Sequence, residues 1–474
     1  MLKSPIAQTL LFLGTATTML MSQQVTAADV DHWAVLVTGS KGYTNYRHHA
    51  DVCHAYHIMR NNGIPEERII LMSYNDAVHA KENPLPGQLF NKPDGEDVYA
   101  GCKIDYEGDA CNSHNFINVL KGNSSAIVGG NGKVLQSNEN SKVFLYYVDH
   151  GAPGFVYFPD IENDKLYADV FNATIYAMYE TKMYKELVIY MEACYSGSMF
   201  EGILQEDWNV YVMTAANAHE PSRATYCHPQ DYVGDKHMKT CLGDVFSVTW
   251  MEQLMSTDSK TISLDQQFEL VKANALKAHS SHVQKYGTPI LGSQPVSNFI
   301  GISNLIAPQQ SISFLEQIKR KFLGHEHEDD PNEGFPSYTT VDEDIERQHM
   351  SAISAHDVRL HHLYTVMKLE GGAKITLEVN QALTDRMRTD HVFKQFAPVQ
   401  AARRPNPDGG PTGTLPKNFD CLRKIVRAYE SQCGILREYA LKYVKYFVDA
   451  CENLPEHDPL ADKVAQRIMD ACEH

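Results

Sequence analysis

The chain has 474 residues, long enough for one large hydrophobic core and one smaller one. Its formal charge of −17 argues against a nucleic-acid partner, and no apolar run beyond the N-terminus is long enough to span a membrane. The first 27 residues carry Lys3, an apolar stretch around Leu10 to Leu20 and the small-residue end Val25-Thr26-Ala27. They read as a signal peptide for the secretory pathway, toward a lysosome, a vacuole or the extracellular space.

Asp31 to Ser40 reads as a first buried strand, followed by a loop carrying Asn45, Arg47 and His48. A helix is expected over Ala50–Asn62, ended by Gly63-Ile64-Pro65, then a second strand over Arg68–Tyr74. Residues 79–140 read as long surface loops with a helix near Asn115–Leu120. Two apolar runs follow: Val143–Val148 ends on Asp149-His150-Gly151, and Leu187–Met191 ends on Glu192-Ala193-Cys194. As adjacent parallel strands they would bring His150 and Cys194 together at the carboxyl edge of an α/β sheet, where such sheets do chemistry. A strand over Asn209–Ala216 and helices over Val245–Leu254 and Leu264–Ala278 complete this part.

Cys plus His is the minimum set for nucleophilic acyl transfer: the imidazole takes the thiol proton and the thiolate attacks a carbonyl. The backbone N–H groups of Gly151 and Cys194 are the natural donors to the oxyanion. In an oxidising compartment most of the ten cysteines pair. Cys102 and Cys111 flank one polar loop, Cys227 and Cys241 another, and Cys421, Cys433, Cys451 and Cys472 cluster near the C-terminus. Cys53 and Cys194 are left as free thiols. Asn123 and Asn172 begin glycosylation sequons. His48, His49, His54 and His57, and His325 with His327, lack a familiar zinc spacing, so no metal and no cofactor is expected.

V-D-H-G-A-P-G at 148–154 and E-A-C-Y-S-G-S at 192–198 resemble the legumain family, the asparaginyl endopeptidases of the caspase-like clan of cysteine proteases. The likeness extends through G-S-K-G-Y-T-N-Y-R-H at 39–48, N-G-I-P at 62–65, T-A-A-N at 214–217 and C-L-G-D at 241–244. It implies a caspase-like, mostly parallel sheet flanked by helices over residues 28–304. An activation segment and acidic linker would follow over 305–350, then an all-α, death-domain-like prodomain over 351–474. It implies Cys194 as nucleophile, His150 as base, and Asn45 as third member. The specificity pocket would comprise Arg47, His48, Glu192, Ser222 and Asp244. It also implies disulfides Cys227–Cys241, Cys421–Cys451 and Cys433–Cys472.

The implied activity is cleavage after Asn, and after Asp in acid, with peptide ligation as a side reaction. Expected partners are protein and peptide substrates with Asn at the cleaved position, the chain's own prodomain, and cystatin-type inhibitors. Within the linker, Asn332 is the expected processing site. The cap is expected to dock electrostatically on carboxylates of the catalytic domain, and protonating carboxylates as pH falls would weaken the docking and release the lock. The alternatives are a glycolipid-anchor transamidase-like enzyme and a catalytically silent binding protein.

Overall fold

The computed structural model describes residues 31–256, 259–278, 280–301, 352–396, 414–452 and 460–472. The stretch read as a signal peptide and the expected processing site Asn332 lie outside the described residues. Seven strands form the central sheet: β1 (His32–Thr38), β2 (Ile69–Ser73), β3 (Tyr106–Glu107), β4 (Lys142–Val148), β5 (Glu186–Glu192), β6 (Val210–Thr214) and β7 (Gln284–Gly287). Their spatial order is β7-β6-β5-β4-β1-β2-β3, and only β7 runs antiparallel to its neighbour. Strands covered on both faces need apolar residues at every position, which is why β1, β4 and β5 read as unbroken apolar runs.

One face is covered by α1 (Tyr46–Asn61), through Val52, Tyr56 and Met59, together with Trp250 and Phe268 of two later helices. The other is covered by α2 (Ser113–Leu120) and α3 (Ala168–Glu180), through Phe116, Val119, Phe171 and Ile175. The two later helices are α4 (Val245–Ser256) and α5 (Leu264–Lys277). A Ser263–Gln266 capping box sets the start of α5.

The C-terminal part is helical: α6 (Val358–Leu369), α7 (Ala373–Phe396), α8 (Phe419–Cys433), α9 (Val444–Cys451) and α10 (Leu460–Cys472). Its apolar residues Phe393, Leu422, Ile425 and Phe447 join the same cluster as Phe155 and Val156 of the sheet part. Cys421–Cys451 and Cys433–Cys472 staple these helices.

Three expectations change. Cys102 pairs with Cys53 of α1, not with Cys111, and Cys111 is a free buried thiol. The reason is topological. β3 lies between Cys102 and Cys111, and the two emerge on opposite faces of the sheet, Cys102 against the α1 side and Cys111 in the α2–α3 core. Asn172 does not offer a glycan site. It is buried within α3, and its Nδ2 donates to the carbonyls of Ala168 (2.8 Å) and Met199 (2.6 Å). Asn123 is exposed, between a turn and the short 3-10 helix Ser124–Ala126. Finally, α1 begins at Tyr46 instead of Ala50, so Arg47 and His48 stand on its first turn and not in a loop.

Candidate active site

β4 and β5 are hydrogen-bonded parallel neighbours, with Val148 opposite Glu192. The Asp149 N–H donates to the Glu192 carbonyl (3.0 Å), extending the pairing one step beyond the strands. His150 and Cys194 therefore leave the sheet at one edge. Cys194 is followed by Tyr195 in the left-handed region (φ 56°), a conformation that costs a non-glycine residue about 1 kcal/mol or more. This sharp turn, closed by the Tyr195 N–H donating to the Glu220 carbonyl (2.8 Å), presents the thiol at the strand end.

The imidazole is fixed from α1. Asn45 stands at the N-cap of that helix, where its side chain would ordinarily accept a backbone N–H, but it makes no cap bond. Its Nδ2 donates to the Lys41 carbonyl (2.9 Å), which turns Oδ1 toward His150 Nε2 at 2.8 Å. An oxygen acceptor there requires Nε2 to carry the proton, which leaves the lone pair on Nδ1. That nitrogen is enclosed and has no hydrogen-bond partner. Burial holds His150 down to about 4; Glu438 opposes this and Arg47 adds to it.

The Cys194 thiol is pushed up to about 12 by burial, against the opposing pull of the Ser222 backbone N–H and hydroxyl. Its Sγ lies 3.8 Å from Ser222 Oγ. A neutral imidazole therefore stands by a protonated thiol. The next residue, Gly151, has no room for a side chain: a Cβ there would collide with the Cys194 carbonyl oxygen. Tyr157 N donates to His150 O, so in the alternating antiparallel ladder Gly151 occupies the non-hydrogen-bonded position and its N–H turns away from the partner strand.

Arg47, His48, Glu192, Ser222 and Asp244 are all buried and come together beside the thiol. Arg47 Nε donates to Asp244 Oδ1 (2.9 Å), and Nη1 to the Thr44 carbonyl (3.0 Å). His48 Nδ1 hydrogen-bonds Ser40 Oγ (2.7 Å), and its Nε2 lies 3.3 Å from Asp244 Oδ2. Glu192 Oε2 accepts from both N and Oγ of Ser247 (3.1 Å each). Three buried polar atoms of this set lack a hydrogen bond: Arg47 Nη2, Glu192 Oε1 and Asp244 Oδ2. Burial and the mutual repulsion of the carboxyls push Glu192 well up; burial also raises Asp244, while Arg47 opposes.

Asp51, Asp149 and Ser247 complete the surroundings and were missed in the sequence. Asp51 was legible in principle, since it stands four residues after Arg47 on the same helix face. Ser247 was not: only tertiary packing brings the start of α4 under Glu192. Asp149 is buried with neither carboxyl oxygen hydrogen-bonded and with His48 Nδ1 3.7 Å from Oδ1, and burial pushes it well up.

The C-terminal part closes the cleft. Ile353–Ser354 pairs antiparallel with Arg223–Thr225, which itself pairs with Gly243–Asp244. The Ala355 N–H donates to the Ser222 carbonyl (3.1 Å), and Ala355 packs on Cys194 and Tyr195. This is strand addition on the edge that borders the pocket. From the other side Glu438 Oε1 stands 4.0 Å from His150 Nε2.

Residues 32–304 match the Peptidase C13 family, and residues 380–472 match the legumain prodomain. The chain belongs to the peptidase C13 family. It is a cysteine endopeptidase with protein substrates, made with a prodomain that keeps it a zymogen. Among its relatives is the vacuolar-processing enzyme delta-isozyme of Arabidopsis thaliana, 36% identical over 88% of this chain and 86% of that one. A vacuolar-processing enzyme of Vicia sativa is 35% identical over 92% and 85% respectively. The beta-isozyme 1 of Oryza sativa subsp. japonica is 37% identical over 89% and 81%.

Proposed function

We propose that this C13 peptidase cleaves after asparagine. The observation that carries the reading is the set of three unpartnered pocket atoms, Arg47 Nη2, Glu192 Oε1 and Asp244 Oδ2. A primary carboxamide is their chemical complement: its oxygen accepts from the guanidinium and its NH₂ donates to two carboxyl oxygens. An apolar side chain would leave all three unpaired, and so is rejected strongly. Ionised aspartate would set carboxylate against carboxylate, whereas protonated aspartate mimics asparagine. Cleavage after Asp is therefore confined to acid.

In the reaction, Cys194 gives its proton to His150 Nδ1 and its sulfur attacks the scissile carbonyl. The N–H groups of Gly151 and Cys194 receive the oxyanion. His150 returns the proton to the departing amine, leaving a thioester. Water opens it to complete hydrolysis; a second amine opens it to form a new peptide bond, which is the ligase side reaction. Asn45 keeps the proton on Nε2 throughout.

The same reading makes residues after the linker an acid-sensitive lock. Ala355 occupies the strand position over the nucleophile, and its methyl group offers nothing to the carboxamide pocket. The linker supplies Asn332 as the self-processing site, and the likeness to vacuolar-processing enzymes supports a vacuolar or lysosomal compartment reached through the secretory pathway. The test is incubation of the purified full chain at about pH 4–5, followed by intact mass. Peptides differing only as Asn or Gln at the cleaved position are then offered. Shortening near residue 332 with cleavage of the Asn peptide alone is the expected result. Cleavage of both peptides alike removes the pocket assignment, and an unshortened, inactive chain removes the lock.

A further inference from the structure

Three carboxyl groups, Asp51, Glu192 and Asp244, surround the pocket, and all are fully buried or nearly so. One guanidinium, Arg47, faces them. With every carboxyl ionised the pocket would hold an uncompensated double negative charge out of water, which buried groups avoid by keeping protons.

The contacts say which carboxyl keeps one. Arg47 Nε donates to Asp244 Oδ1, so Asp244 has the cation. Asp51 Oδ2 accepts the Asp244 backbone N–H at 3.3 Å, which sets the two buried carboxyl groups against each other, and burial together with Asp244 raises Asp51 well above the usual carboxylate range. Two carboxyl groups can share a hydrogen bond only if one is protonated. Asn91 settles the position of that proton. Its Nδ2 donates to Asp51 Oδ1 (2.6 Å) and to the Leu242 carbonyl (3.0 Å), while its Oδ1 meets His54 Nδ1 (2.7 Å). Asp51 Oδ1 takes the short Asn91 bond, whereas Oδ2 meets only the longer 3.3 Å contact from the Asp244 N–H, which a hydroxyl oxygen can still accept, so the proton is placed on Oδ2 beside Asp244.

We propose that Asp51 is a specificity-determining positioning residue, a protonated carboxyl behind the pocket that holds Asp244 ionised and correctly turned to receive the substrate's side-chain amide. α1 links the two halves of this device: Arg47 and Asp51 are one turn apart on a single rigid helix, so the cation and the proton donor grip Asp244 from one frame. Arg47 holds Asp244 by Oδ1 and Asp51 by its backbone N–H, so Oδ2, which has His48 Nε2 3.3 Å away but makes no hydrogen bond, is left for the amide. Loss of the Asp51 proton would set a second carboxylate against Asp244 and misplace or neutralise it. Asparagine recognition would then fail at alkaline pH.

This inference rests on the carboxamide reading of the pocket. It is tested on the full chain after acid activation, with Asn, Asp and Gln peptides across a pH series. The chains compared are the parent, Asp51→Asn and Asp51→Ala, each checked by thermal unfolding. Asn at this position keeps a donor toward Asp244 but cannot ionise. Its kcat/KM for the Asn peptide is expected within about tenfold of the parent, with the alkaline decline moved upward. Asp51→Ala is expected to lose about a hundredfold, mostly in KM. Asp51→Ser, which retains a hydroxyl, is a further replacement should the alanine variant not fold, and is expected between the two.

Equal damage in Asp51→Asn and Asp51→Ala would show that a charged Asp51 is needed and would overturn the proposal. So would an alanine variant with the parent's kinetics, or an alkaline limb unmoved in Asp51→Asn. A parent that cleaves without preference for Asn would instead count against the pocket reading itself.

Discussion

At the scale of single residues, Asn45 shows how one side chain is withdrawn from local structure for a distant task. Asparagine is among the best N-cap residues, yet here it leaves the first turn of α1 uncapped and holds the His150 imidazole instead. The turn survives because Arg47 and His48 are tied down by Asp244 and Ser40. Replacing Asn45 by Ala frees the imidazole to turn and to change tautomer. The expected result is a kcat lower by about tenfold to a hundredfold with KM little changed. Steady-state kinetics with the Asn peptide check it. A loss confined to KM would mean that Asn45 serves the pocket and not the imidazole. Cys194 and His150 were legible because each ends an unbroken apolar run. Asp51 left only the hint of its helical spacing from Arg47, and Ser247 left none, because nothing local marks a buried polar residue whose partner lies on another element.

At the scale of elements, the disulfide pattern separates local from non-local information. Cys227 and Cys241 bracket one loop, and their pairing follows the chain. Cys53 and Cys102 are 49 residues apart and meet only because α1 and the chain entering β3 share a face of the sheet. This crosslink closes a segment holding the second half of α1, β2 and the irregular stretch that follows β2. Cys53→Ser together with Cys102→Ser is expected to cost about 2–5 kcal/mol of unfolding free energy. Denaturant unfolding of the capped chain measures it. A change below about 1 kcal/mol would show that the loop is held by its packing alone. Helix interiors and buried strands were readable from periodicity. The start of α1 was not: Asn45 is an N-cap residue by type, but Arg47, His48 and His49 after it lack the apolar spacing that marks a first turn.

At the scale of the whole molecule, the cap is held by strand pairing, a shared apolar core and ion pairs. Arg423 makes a two-pronged bond to Asp169 (2.9 and 2.8 Å), and Lys165 pairs with Glu430 (3.0 Å). Among the cap groups near the catalytic pair, His356 and Glu438 are expected to make the proposed docking depend on pH. Burial, with His150, Lys442 and Arg386 nearby, holds His356 down to about 3. Its docked pKa is thus below the usual histidine value of about 6.5. The undocked state binds the extra proton, so docking is favoured near neutrality and weakens as pH falls below that value. For Glu438, burial raises the carboxyl but His150, its own backbone N–H, Arg359 and Arg437 outweigh it, leaving it below the usual range. Its contribution is present above the ordinary glutamate pKa and lost as pH falls further. Release is thus expected in two stages, histidine first and carboxylate second. Hydrogen-exchange protection of residues 352–356 in Cys194→Ala, corrected for intrinsic exchange, should fall with pH. His356→Gln should move that fall to lower pH. Protection independent of pH from 7 to 4 would remove both groups from the release mechanism.

By itself the amino-acid sequence determined the strand–helix alternation, the two strand ends that carry Cys194 and His150, and the helical character of the C-terminal part. Each of these is written in neighbouring residues, as apolar runs, helical spacing and turn residues. Only the tertiary structure decided that Cys53 and not Cys111 meets Cys102, that Asn172 is enclosed, that Ala355 lies over the thiol, and that Asp51 stands behind Asp244. Those outcomes depend on which face of the sheet a chain emerges on and on which elements pack across it. Such distances are set by the closed core as a whole, and no local stretch of sequence contains them.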